Sequence, residues 1–292
     1  MSDALLHGRV AVVTGASRGA GKGIALALGA AGMTVYVSGR SVTEGDAELP
    51  GTVGATAAAV TSAGGQGIAV ACDHAEDAQV AALFARVAAE QQGRLDLLVN
   101  NACSLSLELT QPGPFWHKPL HLQQLLDVGL RSHYVAAWHA APLMVARGCG
   151  LIVNTSSYGS VCYMHGPAYG AGKAGADKMA HDMAVDLRHH GVAAVSLWMG
   201  LLRTERTERA LQDEGLGRKY AASVPHMESA QFPGRVIAAL LAAPDLMERS
   251  GRVWIDAELG AELGVRDIDG RQPISFRAAL GEPPSYSRAV VE

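Results

Sequence analysis

The sequence lacks the cysteine patterns that mark metal-binding and disulfide-stabilised proteins. Among its 292 residues are only four cysteines, Cys72, Cys103, Cys149 and Cys162, and they form no CxxC pair and no metal-like cluster. Each lies in or beside an apolar run, so we expect buried free thiols. No metal site is predicted.

Strong charge and long apolar runs are also missing. The formal net charge of −4 provides no basic surface for nucleic acid. No uninterrupted apolar run approaches the roughly 18 residues of a membrane-spanning helix, and the N-terminal stretch 1–9 has no apolar signal core. We therefore expect a cytoplasmic protein that binds neither nucleic acid nor a membrane.

Predicted strands alternate with predicted helices along most of the chain. The strands are expected at 9–14, 33–38, 67–71, 95–99, 151–154, 192–198 and 252–255. The helices are expected at 22–31, 52–63, 76–92, 120–146, 168–190 and 231–246. This alternation predicts an α/β fold, a doubly wound, Rossmann-like parallel sheet with helices on both faces. Without a visible linker, 1–292 is predicted to be one domain, with 264–292 as a C-terminal arm.

A glycine-rich turn follows the first predicted strand, with the spacing G-x-x-x-G-x-G. Such a turn brings the N-terminus of the next helix against a pyrophosphate, because glycines let the backbone approach closely. The competing interpretation is a turn without a ligand. The residues predicted to contact a nucleotide cofactor here are Gly15, Ser17, Arg18, Gly19, Ala20 and Gly21.

The second predicted strand ends without an acidic residue, since 39–41 reads Gly-Arg-Ser. An acid at this place accepts hydrogen bonds from a ribose 2′-OH, whereas an arginine suits a 2′-phosphate. Arg40 follows the strand, and Arg18 adds a second cation from the glycine turn. The sequence therefore favours NADP as the cofactor, with NAD possible.

Polar residues follow three further strands, at the edge where doubly wound sheets bind their ligands. Asp73 either faces the adenine or caps the next helix, and the sequence does not choose between these roles. Asn100 can line the cofactor crevice, and Thr204 can bond the amide or a phosphate of the cofactor. Residues 205–223 are charged and form a candidate lid.

A phenol and an amine lie one turn apart at the start of the helix 168–190. Tyr169 and Lys173 share one helix face, with Cβ atoms about 5–6 Å apart. A nearby cation favours the phenolate form of a tyrosine. Together with a serine at the end of the preceding strand, this pair can move a proton on or off a carbonyl or alcohol oxygen.

Two serines compete for the place beside the phenol. Counting from Asn154 in the strand selects Ser157, whereas counting back from Tyr169 selects Ser156. Neighbouring strand residues point to opposite faces, so only one of them can face the crevice. We favour Ser157 as the catalytic serine.

Taken together, TGASRGAG, NNA, the strand-end serines, YGAGK and MGLLRT resemble the short-chain dehydrogenase/reductase family, in the family's order over about 8–256. The resemblance implies an NADP(H)-dependent oxidoreductase that interconverts a carbonyl and an alcohol, with Tyr169 as acid/base. It implies that Lys173 holds the nicotinamide ribose, that Thr204 fixes the nicotinamide end, and that Asp73 and Asn100 lie along the adenine and ribose. A homodimer or homotetramer built through the two long helices is also implied.

Three positions depart from that family's pattern. Cys103 replaces the glycine of NNAG, Met199 replaces the proline of a PG pair, and Gly129 stands where the family has an asparagine that anchors a proton-relay water. A glycine cannot supply that side chain. A nucleotide-binding sensor or scaffold with little catalysis is therefore the alternative hypothesis; no feature selects an epimerase or lyase.

The substrate is predicted only as a small-molecule carbonyl or alcohol. Loops at the carboxyl edge of a sheet can form the walls of a pocket. An apolar, moderately large substrate is favoured. The candidate pocket walls are Phe115, Trp116, Tyr163, Met164 and His165.

Overall fold

The computed structural model describes residues 6–291. The ends of the predicted domain, 1–5 and 292, lie outside the described residues, and so does the first half of the N-terminal stretch. The strands are β1 Val10–Val13, β2 Thr34–Gly39, β3 Gln66–Ala71, β4 Leu97–Asn100, β5 Gly150–Ser156, β6 Val192–Trp198, β7 Leu202–Arg203, β8 Glu228–Ser229 and β9 Val253–Ile255. The helices are α1 Gly19–Ala30, α2 Val53–Ser62, α3 Asp77–Glu90, α4 Gln124–Leu126, α5 Ser132–Arg147, α6 Pro167–Leu187, α7 Glu205–Gln212, α8 Glu214–Tyr220, α9 Phe232–Ala242, α10 Leu246–Arg249, α11 Asp256–Glu262 and α12 Arg277–Leu280.

Seven strands form one parallel sheet in the order β3-β2-β1-β4-β5-β6-β9. Successive side chains of a strand point to opposite faces. In β1, Ala11 and Val13 pack with α1 and α9 on one face, whereas Val10 and Val12 pack with α3 and α5 on the other. Helices therefore cover both faces, and the prediction of a doubly wound parallel sheet is confirmed.

The strand order reverses between β1 and β4, so the ligand crevice of a doubly wound sheet is expected at this place. After β1 the chain turns into α1 and continues to β2 on one side, while β4 lies on the other side of β1. The N–H of Thr14 donates to the carbonyl of Val99 at 3.0 Å, just beyond the two strand ends. Ligands of such sheets bind outside the carboxyl ends at this switch point.

The predicted helix 120–146 is wrong in its first part. A 3₁₀ turn, α4 and a five-residue segment Asp127–Arg131 precede α5, which begins only at Ser132. Within that segment Val128 has φ −110° and ψ 93°, and Gly129 has φ 143°, so both leave the helical region. A positive φ costs glycine little, which is why the break falls at this residue.

Residues 205–223, expected as a lid, form α7 and α8, with 3₁₀ structure and a second small parallel sheet of β7 and β8 close by. Thr204 begins α7 as its N-cap. Its Oγ1 accepts from the N–H of Thr207 at 3.3 Å, and the Oγ1 of Thr207 accepts from the N–H of Thr204 at 2.7 Å. This reciprocal capping box stabilises the first turn of a helix.

The C-terminal arm packs back on the sheet's helices. The N–H of Phe276 donates to the hydroxyl of Tyr158 at 3.0 Å, and Arg277 pairs with Glu258 at 2.6 Å. Tyr286 lies against His181, with ring centroids 4.8 Å apart. Within 6–291, no helix combines the length and apolarity that crossing a bilayer requires.

The prediction that all four cysteines are buried is wrong. All are free thiols, but only Cys72 is buried. Cys149 is exposed because it lies in the turn between α5 and β5, and Cys103 and Cys162 are partly exposed.

Candidate active site

The glycine turn has the geometry of an anion cradle. A Cβ on Gly15 would lie 2.6 Å from the Cα of Ala102, and one on Gly21 would lie 2.4 Å from the carbonyl oxygen of Gly15. Side chains at these two places would therefore push the turn apart. Gly19, with φ 59°, has only the Cγ2 of Thr204 at 4.0 Å from its added Cβ, so it faces open space.

The backbone of this turn already binds an anionic oxygen. The N–H of Gly19 donates to Oε2 of Glu205 at 2.9 Å, at the N-terminus of α1. A helix N-terminus favours negative charge. Ser17 is buried inside the turn, whereas Arg18 and Ala20 are partly exposed at the start of α1. The residues predicted to contact the cofactor phosphates therefore suit an anionic group.

The side chains of Thr14 and Asn101 hold the glycine turn in place by hydrogen bonds, and they were not predicted from the sequence. The hydroxyl of Thr14 accepts from the N–H groups of Asn101 (2.8 Å) and Ala102 (3.0 Å). The side-chain amide of Asn101 donates to the carbonyls of Thr14 (2.9 Å) and Gly15 (3.1 Å). The signal was available: a threonine directly before the first glycine, and a second asparagine in NNA.

Two arginines lie at the end of β2. Arg18 donates to the hydroxyl of Ser41 at 2.8 Å and to the carbonyl of Gly51 at 2.7 Å, which holds its guanidinium beside the strand end. Arg40 is exposed and lies 3.8 Å from the carboxylate of Asp73. Ser41, which is buried and links the two arginine positions, was not singled out from the sequence.

The Asp73 carboxylate does not cap helix α3. Its Oδ1 accepts from the N–H of Ala75 at 3.0 Å, which closes a local turn, and the N-cap of α3 is Glu76. Of the two roles left open for Asp73, helix capping is excluded. The carboxylate instead lies 3.8 Å from the guanidinium of Arg40.

Asn100 lies inside the sheet rather than in the crevice. Its side-chain amide donates to the carbonyl of His133 at 3.2 Å and to Oδ1 of Asn154 at 2.9 Å, and the residue is fully buried. Asn154 in turn donates to the carbonyl of Ala176 on α6 at 3.0 Å. This chain of amides joins β4, β5, α5 and α6 directly behind the strand ends.

Ser157 and Tyr169 meet at the carboxyl end of β5. Their oxygens are 2.9 Å apart, and the Ser157 oxygen also accepts from the N–H of Gly159 at 3.2 Å. The ring of Tyr169 fits because Gly159 has no Cβ; an added one would lie 2.5 Å from the ring. Ser156 is instead buried and donates to the carbonyl of Lys173 at 3.2 Å.

Lys173 is buried behind the phenol. Its ammonium lies 5.7 Å from the centroid of the Tyr169 ring and donates to the carbonyl of Thr155 at 3.1 Å. Burial lowers the pKa of His133 to about 3, and the Lys173 charge contributes to that shift. Burial also raises the pKa of the Cys103 thiol, which Lys173 and Arg206 oppose.

The predicted pocket walls border two neighbouring cavities. A cavity of about 380 Å³ at the start of α6 is lined by Phe115, Trp116, Tyr163 and Met164, together with residues of the first turns of the helix. Tyr163 also lines a second cavity of about 410 Å³, together with His165. The His165 ring lies edge-on to that of Tyr169, 5.1 Å between centroids. The second cavity therefore borders a residue whose ring contacts that of Tyr169.

A buried pair of carboxyl groups supports the turn that leads to Thr204. Glu228 accepts from the N–H of Gly200 at 3.3 Å. Burial raises the pKa of Asp256 to about 7, and burial together with Asp256 raises the pKa of Glu228 well above its ordinary value. The hydroxyl of Thr204 caps α7 as described above, and its methyl group lies over Gly19.

Comparisons with known proteins agree with this geometry. The sequence model of the short chain dehydrogenase family matches residues 9–215. Dehydrogenase/reductase SDR family member 1 of Homo sapiens is 42% identical over 290 residues, which covers 96% of this chain and 90% of the relative. A short-chain type dehydrogenase/reductase from Mycobacterium marinum superposes with a TM-score of 0.70 at 27% identity, covering 86% of this chain and 94% of that one.

A further structure, from Beutenbergia cavernae and named for NAD(P)-dependent gluconate 5-dehydrogenase activity, was solved with bound NADP at low occupancy. It has a TM-score of 0.71 and 27% identity, covering 86% of this chain and 96% of its own. The resemblance found in the sequence is confirmed: the chain belongs to the short-chain dehydrogenase/reductase family. It is an NAD(P)-dependent oxidoreductase.

Proposed function

We propose that this enzyme uses NADP(H) to interconvert a carbonyl and an alcohol, with Tyr169 as the acid/base. The observation that carries the proposal is the 2.9 Å contact between the oxygens of Ser157 and Tyr169, with the Lys173 ammonium behind the ring. This arrangement offers two hydroxyl groups to one substrate oxygen. The proximity of Ser157, Tyr169 and Lys173 favours an enzyme over a sensor or scaffold without catalysis.

The nicotinamide, when bound, supplies or accepts the hydride. In the reducing direction Tyr169 would give its proton to the substrate oxygen while Ser157 donates a hydrogen bond to it. In the oxidising direction Tyr169 would take the proton back. The Lys173 ammonium has one donor on the carbonyl of Thr155 and keeps two N–H groups for ribose hydroxyls.

The proposal assigns the pyrophosphate to Gly15, Gly19 and Gly21, whose backbone forms the cradle. Gly19 supports it best, because its N–H already binds a carboxylate oxygen. Thr204 is proposed near the nicotinamide end, Asp73 near the adenine, and Asn100 as the residue that fixes the strand ends behind the ribose.

NADP is proposed over NAD because of the charges at the end of β2. Arg40 is exposed there, and Arg18 is held in place beside Ser41. A guanidinium binds a phosphate with charge-assisted hydrogen bonds. The nearest acid, Asp73, is the competing influence, since its carboxylate already lies 3.8 Å from Arg40.

The substrate is proposed to be an apolar, moderately large carbonyl or alcohol compound. The support is the aromatic lining of the cavity beside α6, where Phe115, Trp116 and Tyr163 are largely exposed. We also propose a homodimer or homotetramer formed through α5 and α6. Exposed aromatic side chains on α5, Tyr134 and Trp138, support it, since such residues are enriched at interfaces.

The acid/base role is tested with Tyr169→Phe, which keeps the ring but removes the hydroxyl. Turnover of a panel of carbonyl compounds with NADPH should fall by about 10²-fold or more. NADPH affinity, measured by fluorescence titration, should stay within about twofold. Unchanged turnover would end the assignment of Tyr169.

A further inference from the structure

Helix α7 is fastened across the mouth of the cofactor crevice by three side chains. Arg206 donates to the carbonyl of Leu105 at 2.8 Å, in the loop after β4. Arg209 pairs with Glu48 at 2.7 Å, in the loop after β2. Glu205, the first residue of the helix, binds the N–H of Gly19 in the glycine turn. The helix therefore spans from one wall of the crevice to the other.

The contact made by Glu205 differs from the other two because its carboxylate accepts from a backbone N–H at a helix N-terminus. It joins residues 186 positions apart and places a carboxylate on one of the four N–H groups that a helix start leaves unpaired. Lys22, one turn into α1, lies 3.8 Å from the same carboxylate. A backbone donor, a helix N-terminus and a cation thus converge on one negative charge, and that side chain is only 29% exposed.

The same N–H is the group that the proposed function assigns to a cofactor phosphate. A single N–H cannot serve both anions fully. In addition, a carboxylate left beside the pyrophosphate would repel it. Cofactor binding and the Glu205–Gly19 contact therefore exclude each other.

We propose that Glu205 is an internal competitor of the cofactor, a latch that closes α7 over the glycine turn and must release before the pyrophosphate binds. This inference rests on the proposed function, because it needs the phosphates to bind at Gly19. Binding is then reduced by the fraction of molecules whose latch is closed. Release of Glu205 frees the first turn of α7, so cofactor binding and the movement of this helix are linked.

The binding test compares Glu205→Gln with wild type and with Glu208→Gln. The two variants remove the same charge from the same first turn of α7, but Glu208 pairs with Arg203 and does not reach the glycine turn. NADPH affinity is measured by fluorescence titration without substrate. We expect Glu205→Gln to bind NADPH about fivefold more tightly, and Glu208→Gln to stay within about twofold of wild type. Equal affinities, or equal tightening in both variants, would overturn the inference.

A second measurement needs no nucleotide. Trypsin cleaves after arginine, and α7 contains Arg206 and Arg209. If Glu205 holds the helix closed, Glu205→Gln is cleaved faster at these two sites than Glu208→Gln and wild type. Tighter NADPH binding without faster cleavage would mean that charge alone is responsible, and the latch would be wrong. If no variant bound NADPH, the proposed function would fail, while the cleavage rates would still decide the latch.

Discussion

The thiol of Cys103 packs against the backbone of Gly129. A Cβ built on Gly129 would lie 3.0 Å from the sulfur, and Gly129 has φ 143°. Both residues depart from the family's sequence pattern, with a cysteine after NNA and a glycine before α5, and they are in contact in the fold. The side chain of Cys103 fills the space that a side chain at position 129 would need.

This relationship predicts that an asparagine at position 129 would destabilise the folded protein. Gly129→Asn should lower the free energy of unfolding by about 1–3 kcal/mol, because the new Cβ meets the thiol and the positive φ strains any side chain. Urea denaturation measures the loss. The double variant with Cys103→Gly should recover only the part caused by the contact. An unchanged midpoint for Gly129→Asn would contradict the described break in the helix.

Serines 156 and 157 are predicted to separate turnover from stability. Ser157→Ala removes the hydroxyl beside Tyr169, so kcat should fall at least about tenfold, as expected when one stabilising donor is lost. Ser156→Ala removes a buried bond to the carbonyl of Lys173 and should cost about 1 kcal/mol of stability with a smaller effect on kcat. Steady-state kinetics and thermal unfolding of both variants check this. The reverse pattern would assign the catalytic role to Ser156.

Arg40→Ala is predicted to weaken NADPH binding about tenfold and to leave NADH binding nearly unchanged, because a charge-assisted bond to the 2′-phosphate is lost. The ratio of the two dissociation constants is the measurement. Arg86→Ala is the matched control, since Arg86 is also a surface arginine with an acidic partner, Glu90. A ratio that stays the same in Arg40→Ala would exclude this arginine from cofactor selection.

The buried carboxyl pair predicts a pH dependence of stability. The pKa of Asp256 is raised to about 7 in the folded state, against an ordinary aspartate value near 4 in the unfolded chain. Between these values the folded state binds more protons, so the contribution of Asp256 is complete below about pH 4 and is lost as the pH rises toward 7. The slope is about 1.4 kcal/mol per pH unit for one proton.

The comparison of wild type with Asp256→Asn measures this contribution together with the coupling of Asp256 to Glu228. Other groups titrate in the same range, and the lowered pKa values of His74 and His133 act in the opposite direction. The difference in unfolding free energy between the two proteins removes them. From pH 4 to pH 7, wild type should lose stability relative to Asp256→Asn. Above about pH 7 the difference should be constant. A difference that is constant with pH would show that Asp256 ionises normally.

The class of fold and the place of the helix that carries Tyr169 and Lys173 were readable from the amino-acid sequence. Short continuous apolar runs predict strands that are buried on both faces, and apolar residues spaced by about 3.6 predict helices. The glycine turn after β1 and the four-residue spacing of Tyr169 and Lys173 were readable for the same reason. Both features depend on residues close together in the chain.

The pairing of the polar groups depends on three-dimensional packing and could not be read from the sequence. Ser157 rather than Ser156 lies by Tyr169, Asn100 points into the sheet toward Asn154, and Glu205 reaches Gly19 across 186 positions of sequence. The break at Gly129 depends in the same way on Cys103 and on the bond from the N–H of Ser104 to the carbonyl of Val128. Contacts between distant segments are set by how strands and helices pack, and no local pattern records them.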